Sequence, residues 1–67
     1  DAWLTAKVKS SMLAKSGLRS GAFKVISEQG VVFLLGEVTH DQANLAVDVV
    51  RRISGVVRVV KLFKYKD

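Results

Sequence analysis

The sequence predicts an α+β domain, a two-layer sandwich in which a three-stranded mixed sheet carries two helices on one face. Three observations predict it. Apolar residues recur at helical spacing at the start of the chain and again after residue 39. From residue 22 the period changes to alternation, followed after Gln29-Gly30 by a β-branched and aromatic run to Val38, and a last β-branched stretch closes the chain. The element order is therefore α-β-β-α-β, and a right-handed strand–helix–strand crossover makes the last strand parallel to the second. With 67 residues there is room for one hydrophobic core and no more, so residues 1–67 are read as a single domain.

Residues 2–15 contain good helix formers and neither Gly nor Pro, and Asp1 stands where a capping side chain is wanted. Leu4, Val8, Ser11 and Met12 share one face of this helix. Ser16-Gly17 stops it, and Gly21 ends the loop that follows. Phe23, Val25 and Ser27 then alternate with Lys24, Ile26 and Glu28. Gln29-Gly30 makes a tight turn into a second strand that runs to Val38, a hairpin for which Gly30 supplies a positive φ. Thr39 and Gln42 have capping-box spacing ahead of a helix expected over residues 40–53, with Ala43, Ala46, Val47, Val50 and Ile53 inward. Arg51 and Arg52 are expected in its last turn, where they favour the helix dipole, with Gly55 as the residue that ends it. The final strand is expected over residues 57–65, with Phe63 and Tyr65 pointing into the core.

Composition narrows the function classes. Apolar residues make up 49% of the chain, which suits a packed core and not a disordered tail. Without cysteine there is no disulfide framework and no thiolate metal site. The longest apolar run, residues 31–35, is far too short to span a bilayer. The chain starts at Asp1 without a Met and is expected to be a piece of a longer protein. Its net charge of +5 favours anionic partners. The charge is also unevenly placed: Lys7, Lys9, Lys15 and Arg19 lie within residues 2–20, and all six acids lie outside that stretch.

On a helical wheel Trp3, Ala6, Ser10, Leu13 and Ala14 fall opposite the core face, with Lys7 and Lys9 at the margins. An indole with a polar N–H suits the boundary between lipid headgroups and acyl chains, where lysines can extend to phosphates. The alternative is that Trp3 folds back over the helix end or the loop around Leu18. The sheet offers a second surface. If Val32, Leu34 and Val38 face the helices, alternation sends Val31, Phe33 and Leu35 the other way, with Ile26, Val60 and Leu62 beside them. An uncovered apolar patch of that kind marks a protein-docking face, for a neighbouring domain or a second copy.

Catalytic readings find little support. His40 is the single histidine and stands beside Asp41, and Ser10, Ser11 and Ser54 have no base converging on them in the sequence. The acids are scattered, and neither a metal nor a cofactor is expected. Nucleic-acid binding is the rival from another class, through Arg51, Arg52, Arg58, Lys61, Lys64 and Lys66 at one end of the sheet. No RNA-binding signature accompanies them, and it ranks below lipid binding and protein docking.

The ordered set Gly30-x-Val32-x-Leu34-x-Gly36-x-Val38, a helix, then Ser54-Gly55-Val56-x-x-Val59 resembles a BON domain, a module of bacterial envelope proteins. The opening Asp1-x-Trp3-Leu4-Thr5-x-Lys7-Val8-Lys9-Ser10 resembles that domain's first helix, so the likeness covers essentially the whole chain. More narrowly, the Asp-x-Trp opening and the Gly-x-Val-Phe-Leu-x-Gly strand are similar to the second of two BON domains in a periplasmic outer-membrane lipoprotein. The resemblance implies a lipid-anchored parent at the inner face of the outer membrane, with the anchor and a sister BON domain upstream of Asp1. It also implies binding of anionic, phosphatidylglycerol-like phospholipid through the first helix.

Overall fold

The computed structural model describes residues 2–67; Asp1, the expected cap of the first helix, lies outside the described residues. Helix α1 (Ala2–Ala14), a 3-10 turn (Ser20–Ala22), strands β1 (Lys24–Glu28) and β2 (Val31–Val38), helix α2 (His40–Val50) and strand β3 (Arg58–Tyr65) follow one another. Strand β2 is central, antiparallel to β1 and parallel to β3, as the crossover rule requires. Both helices cover one face of this sheet. Leu4, Val8 and Met12 of α1 and Ala43, Ala46 and Val50 of α2 are buried against Val25, Val32, Leu34 and Val38. Burial of each large aliphatic side chain contributes about 1.5–3 kcal/mol, and this single cluster holds the fold together.

The hairpin turn has two residues, since Glu28 pairs directly with Val31. Both turn residues are left-handed, Gln29 at φ 50° and Gly30 at φ 82°, which is the twist-matched two-residue turn. Gly30 has a second duty. Its carbonyl accepts the Val57 N–H at 2.8 Å, and a Cβ there would lie 2.7 Å from the Val57 side chain. The turn thus fixes where β3 enters the sheet.

Four expectations need correction. Helix α2 stops at Val50, three residues early, and residues 51–55 form turns, so Gly55 lies beyond the helix-ending position. Arg51 and Arg52 are not in its last turn: both donate to Asp48 Oδ1, at 3.0 and 3.2 Å, and spend their charge there. Only half of the capping box forms. Thr39 Oγ1 accepts the Gln42 N–H at 3.2 Å, but the Gln42 amide turns outward, donating to Gly17 O at 2.9 Å and accepting the Arg19 N–H at 2.8 Å. Gln42 therefore ties the loop after α1 to the start of α2. Finally, Phe63 is half-buried and meets Phe23 edge-on, but Tyr65 is 43% exposed. Tyr65 pairs with Val38 at the end of β2 and of the edge strand β3, and its ring stacks on His40 at the start of α2 instead of entering the core.

Candidate functional site

Helix α1 is fixed in rotation by two kinds of contact. Its buried residues sit on the sheet, and Thr5 Oγ1 lies 2.6 Å from Oγ of the buried Ser27 on β1. With that rotation set, Trp3, Ala6, Lys7, Lys9, Ser10, Leu13 and Ala14 are all exposed, Trp3 by 60% and Leu13 by 75%. Large apolar side chains thus stand on both faces of α1. No carboxylate lies within α1 to oppose its lysines.

These residues do not form one cluster. Trp3 and Lys7 lie on the flank toward the end of α2. The indole edge rests against the Gly55 backbone, and Lys7 Nζ stands 5.8 Å from the ring centroid while donating to Ser54 O at 3.4 Å. Trp3 does contact a loop, but it is the loop at residues 54–55 and not the one around Leu18, and most of the ring stays open to solvent. Lys9 and Leu13 lie on the opposite flank. With Met12, Ser20, Gly21, Phe23 and Val25 they line an open groove of about 300 Å³ between the end of α1, the 3-10 turn and β1. Leu13 stands ten positions after Trp3, roughly 15 Å along the axis, with the small side chains of Ala6 and Ser10 between and Ala14 just beyond.

The sheet's second face is as alternation requires. Ile26 pairs with Phe33, Phe33 with Val60, and Leu35 with Leu62, so Ile26, Val31, Phe33, Leu35, Val60 and Leu62 adjoin on the side away from the helices. Ile26 is 43% and Leu62 53% exposed, and the others are half-covered by their neighbours. Lys24, Glu28, Glu37, Arg58 and Lys64 border the patch, with Lys64 Nζ 4.0 Å from Glu37.

The basic residues of the last third do not converge. Arg51 and Arg52 pair with Asp48, while register sends Arg58 and Lys64 to the outer face and Lys61 to the helix side. His40 has a partner, but it is Asp67 and not Asp41: Nδ1–H donates to the carboxylate at 2.9 Å, and the His40 backbone N–H donates to it at 3.2 Å. The hydrogen bond from the imidazole holds the Asp67 carboxyl below its ordinary value. The Thr39 hydroxyl nearby is committed to the helix cap, so the cluster clasps the end of β3 to the start of α2. Among the described residues no group of three His, Cys, Asp or Glu side chains gathers to hold a metal, and no helix is long and apolar enough to cross a membrane.

Sequence reasoning did not name Ser54, Gly55, Ser20, Gly21 or Phe23 as parts of this surface. Glycine and serine clusters mark loops, but nothing in one sequence says which helix flank a loop will meet.

Comparison with known proteins places the chain in context. The BON domain family profile matches residues 1–67. The outer membrane lipoprotein DolP of Haemophilus influenzae is 54% identical over 67 residues, covering all of this chain and 35% of that protein. A 21 kDa hemolysin of Actinobacillus pleuropneumoniae is 42% identical over 65 residues, covering 97% of this chain and 34% of that protein. The chain spans about a third of the length of these curated relatives.

Proposed function

The chain belongs to the BON-domain family, and from that premise we propose that it is a non-catalytic module that binds anionic, phosphatidylglycerol-like phospholipid at a membrane surface through α1. The observation that carries this reading is an acid-free helix that keeps Trp3 60% and Leu13 75% exposed, with Lys7 and Lys9 exposed beside them. The core is already filled by the other face of the same helix, so most of the surface of these two side chains is left to solvent.

Magnitudes fit a reversible peripheral contact. Two large apolar side chains and two lysines near an anionic surface contribute about 5–8 kcal/mol gross, from which ordering costs are subtracted. Binding of that strength is useful where a second attachment adds to it. The name of the Haemophilus relative, an outer membrane lipoprotein, supports the cell envelope as the location, and we take the periplasmic face of the outer membrane as the surface. A role in outer-membrane integrity goes with that location. Titrating phosphatidylglycerol vesicles should shift Trp3 emission to the blue, and phosphatidylcholine vesicles should do so far less. Equal responses to the two, or none, would remove the anionic-lipid reading.

A second reading has its own observation. The six apolar residues around Phe33 form one patch on the face opposite α1, which supports docking of a sister BON domain or another envelope protein. The two surfaces lie on opposite layers, so both can be occupied together.

A further inference from the structure

The two flanks of α1 are built differently. On the Trp3 flank the cation is already engaged: Lys7 lies near the indole and donates to Ser54 O. On the other flank Lys9 makes no hydrogen bond or ion pair among the described residues, and it stands over the groove. The floor of that groove is apolar, made by Met12, Phe23 and Val25, and Leu13 forms its outer wall. Lys9 and the Ser20 hydroxyl are its polar side chains, and no carboxylate lines it. An apolar trough with one unpartnered cation and one hydroxyl at its rim is complementary to a single-headed amphiphile with an anionic head. It is a poor match for a free anion, which would gain nothing from the floor, or for a neutral alkane, which would leave Lys9 unused.

We infer that this groove is a subsite for one anionic phospholipid molecule, with the phosphate at Lys9 and Ser20 and the first part of an acyl chain between Leu13 and the Phe23–Val25 floor. The inference rests on the reading of α1 as the lipid-facing helix and deepens it. Trp3 anchors the module in the surface, and the groove takes hold of an individual lipid. Selectivity for a phosphate next to acyl chain then comes from the groove, while the Trp3 flank supplies general affinity for the interface.

Gly21 makes the groove testable. A Cβ there meets nothing within 4 Å, and its φ is not in the left-handed region, so Gly21→Phe places a ring in the groove without displacing the core. The probe is a short-chain phosphatidylglycerol kept below its micelle concentration, titrated into methyl-labelled protein. The wild type should show saturable shifts at Met12, Leu13 and Val25. Gly21→Phe should weaken this binding about tenfold or more, the scale of one lost apolar contact. The same variant should still bind phosphatidylglycerol vesicles through Trp3. Glycerol phosphate alone should bind far more weakly than the short-chain lipid.

Wild-type protein that binds vesicles but shows no saturable response to monomeric lipid overturns the groove and leaves the helix reading standing. Monomer binding without vesicle binding does the reverse. Equal affinity for glycerol phosphate would show that the apolar floor does nothing and also overturn it. Should Gly21→Phe fail to fold, Lys9→Glu on the exposed helix surface serves instead: unchanged affinity for the monomeric lipid would contradict the subsite.

Discussion

The indole of Trp3 lies so close to Gly55 that a Cβ at residue 55 would stand 2.9 Å from its Cη2 atom. The aromatic residue at the start of α1 is thereby held by the loop that follows α2, and the two helices share one end of the molecule.

Gly55 sits at φ 101°, so Gly55→Ala combines a strained backbone with a push on the ring. It should lower stability by roughly 1–2 kcal/mol and move Trp3 outward. Denaturant unfolding and Trp3 emission measure the two effects. An unchanged emission maximum would show that the contact does not hold the ring.

Trp3→Ala and Leu4→Ala should behave oppositely, although one residue separates them. Leu4 is fully buried, and its truncation should cost about 2–5 kcal/mol of stability. Trp3 is 60% exposed, so Trp3→Ala should change stability little and reduce binding to phosphatidylglycerol vesicles severalfold. A Trp3→Ala variant as destabilised as Leu4→Ala would mean that the indole belongs to the core.

Asp67 should titrate below the ordinary carboxylate value, because the His40 imidazole donates to it. For a depressed carboxyl the sign is fixed: the clasp contributes above the unfolded-state value and is lost as pH falls through the lowered folded-state value. His40→Ala should return Asp67 toward its ordinary value, as NMR titration of the Asp67 carboxyl would report. The pair is exposed, so the effect on overall stability should be small.

Phe33→Asp places a charge at the centre of the outer sheet patch. It should abolish docking of a second BON domain, followed by calorimetry, and leave vesicle binding by α1 intact. Loss of both would show that the two faces do not act independently.

The fold was legible because period and turn chemistry agree throughout: Leu4, Val8 and Met12 on one helix face, Val32 and Leu34 on one strand face, and Gly30 at the turn. The exposed face of α1 was legible for the same reason, since a filled core face fixes the opposite one. Contacts between distant segments were not. Gln42 leaves its own helix cap for Gly17 and Arg19, Tyr65 finds His40 beyond the edge of the core, and Gly55 meets Trp3. Each depends on how the ends of elements meet in space, which local patterning does not encode. The early end of α2 was likewise not legible: Arg51 and Arg52 pair with Asp48 at i,i+3 and i,i+4, spacings that support a helix, yet the chain turns at residue 51.

The most direct test of the account is chemical-shift mapping with phosphatidylglycerol micelles on ¹⁵N-labelled protein. The amides of α1, with those of Ser54 and Gly55 beside Trp3, should move first and furthest, and the outer sheet residues around Phe33 should stay in place. Shifts confined to the sheet, or no shifts at all, would contradict α1 as the membrane-binding helix.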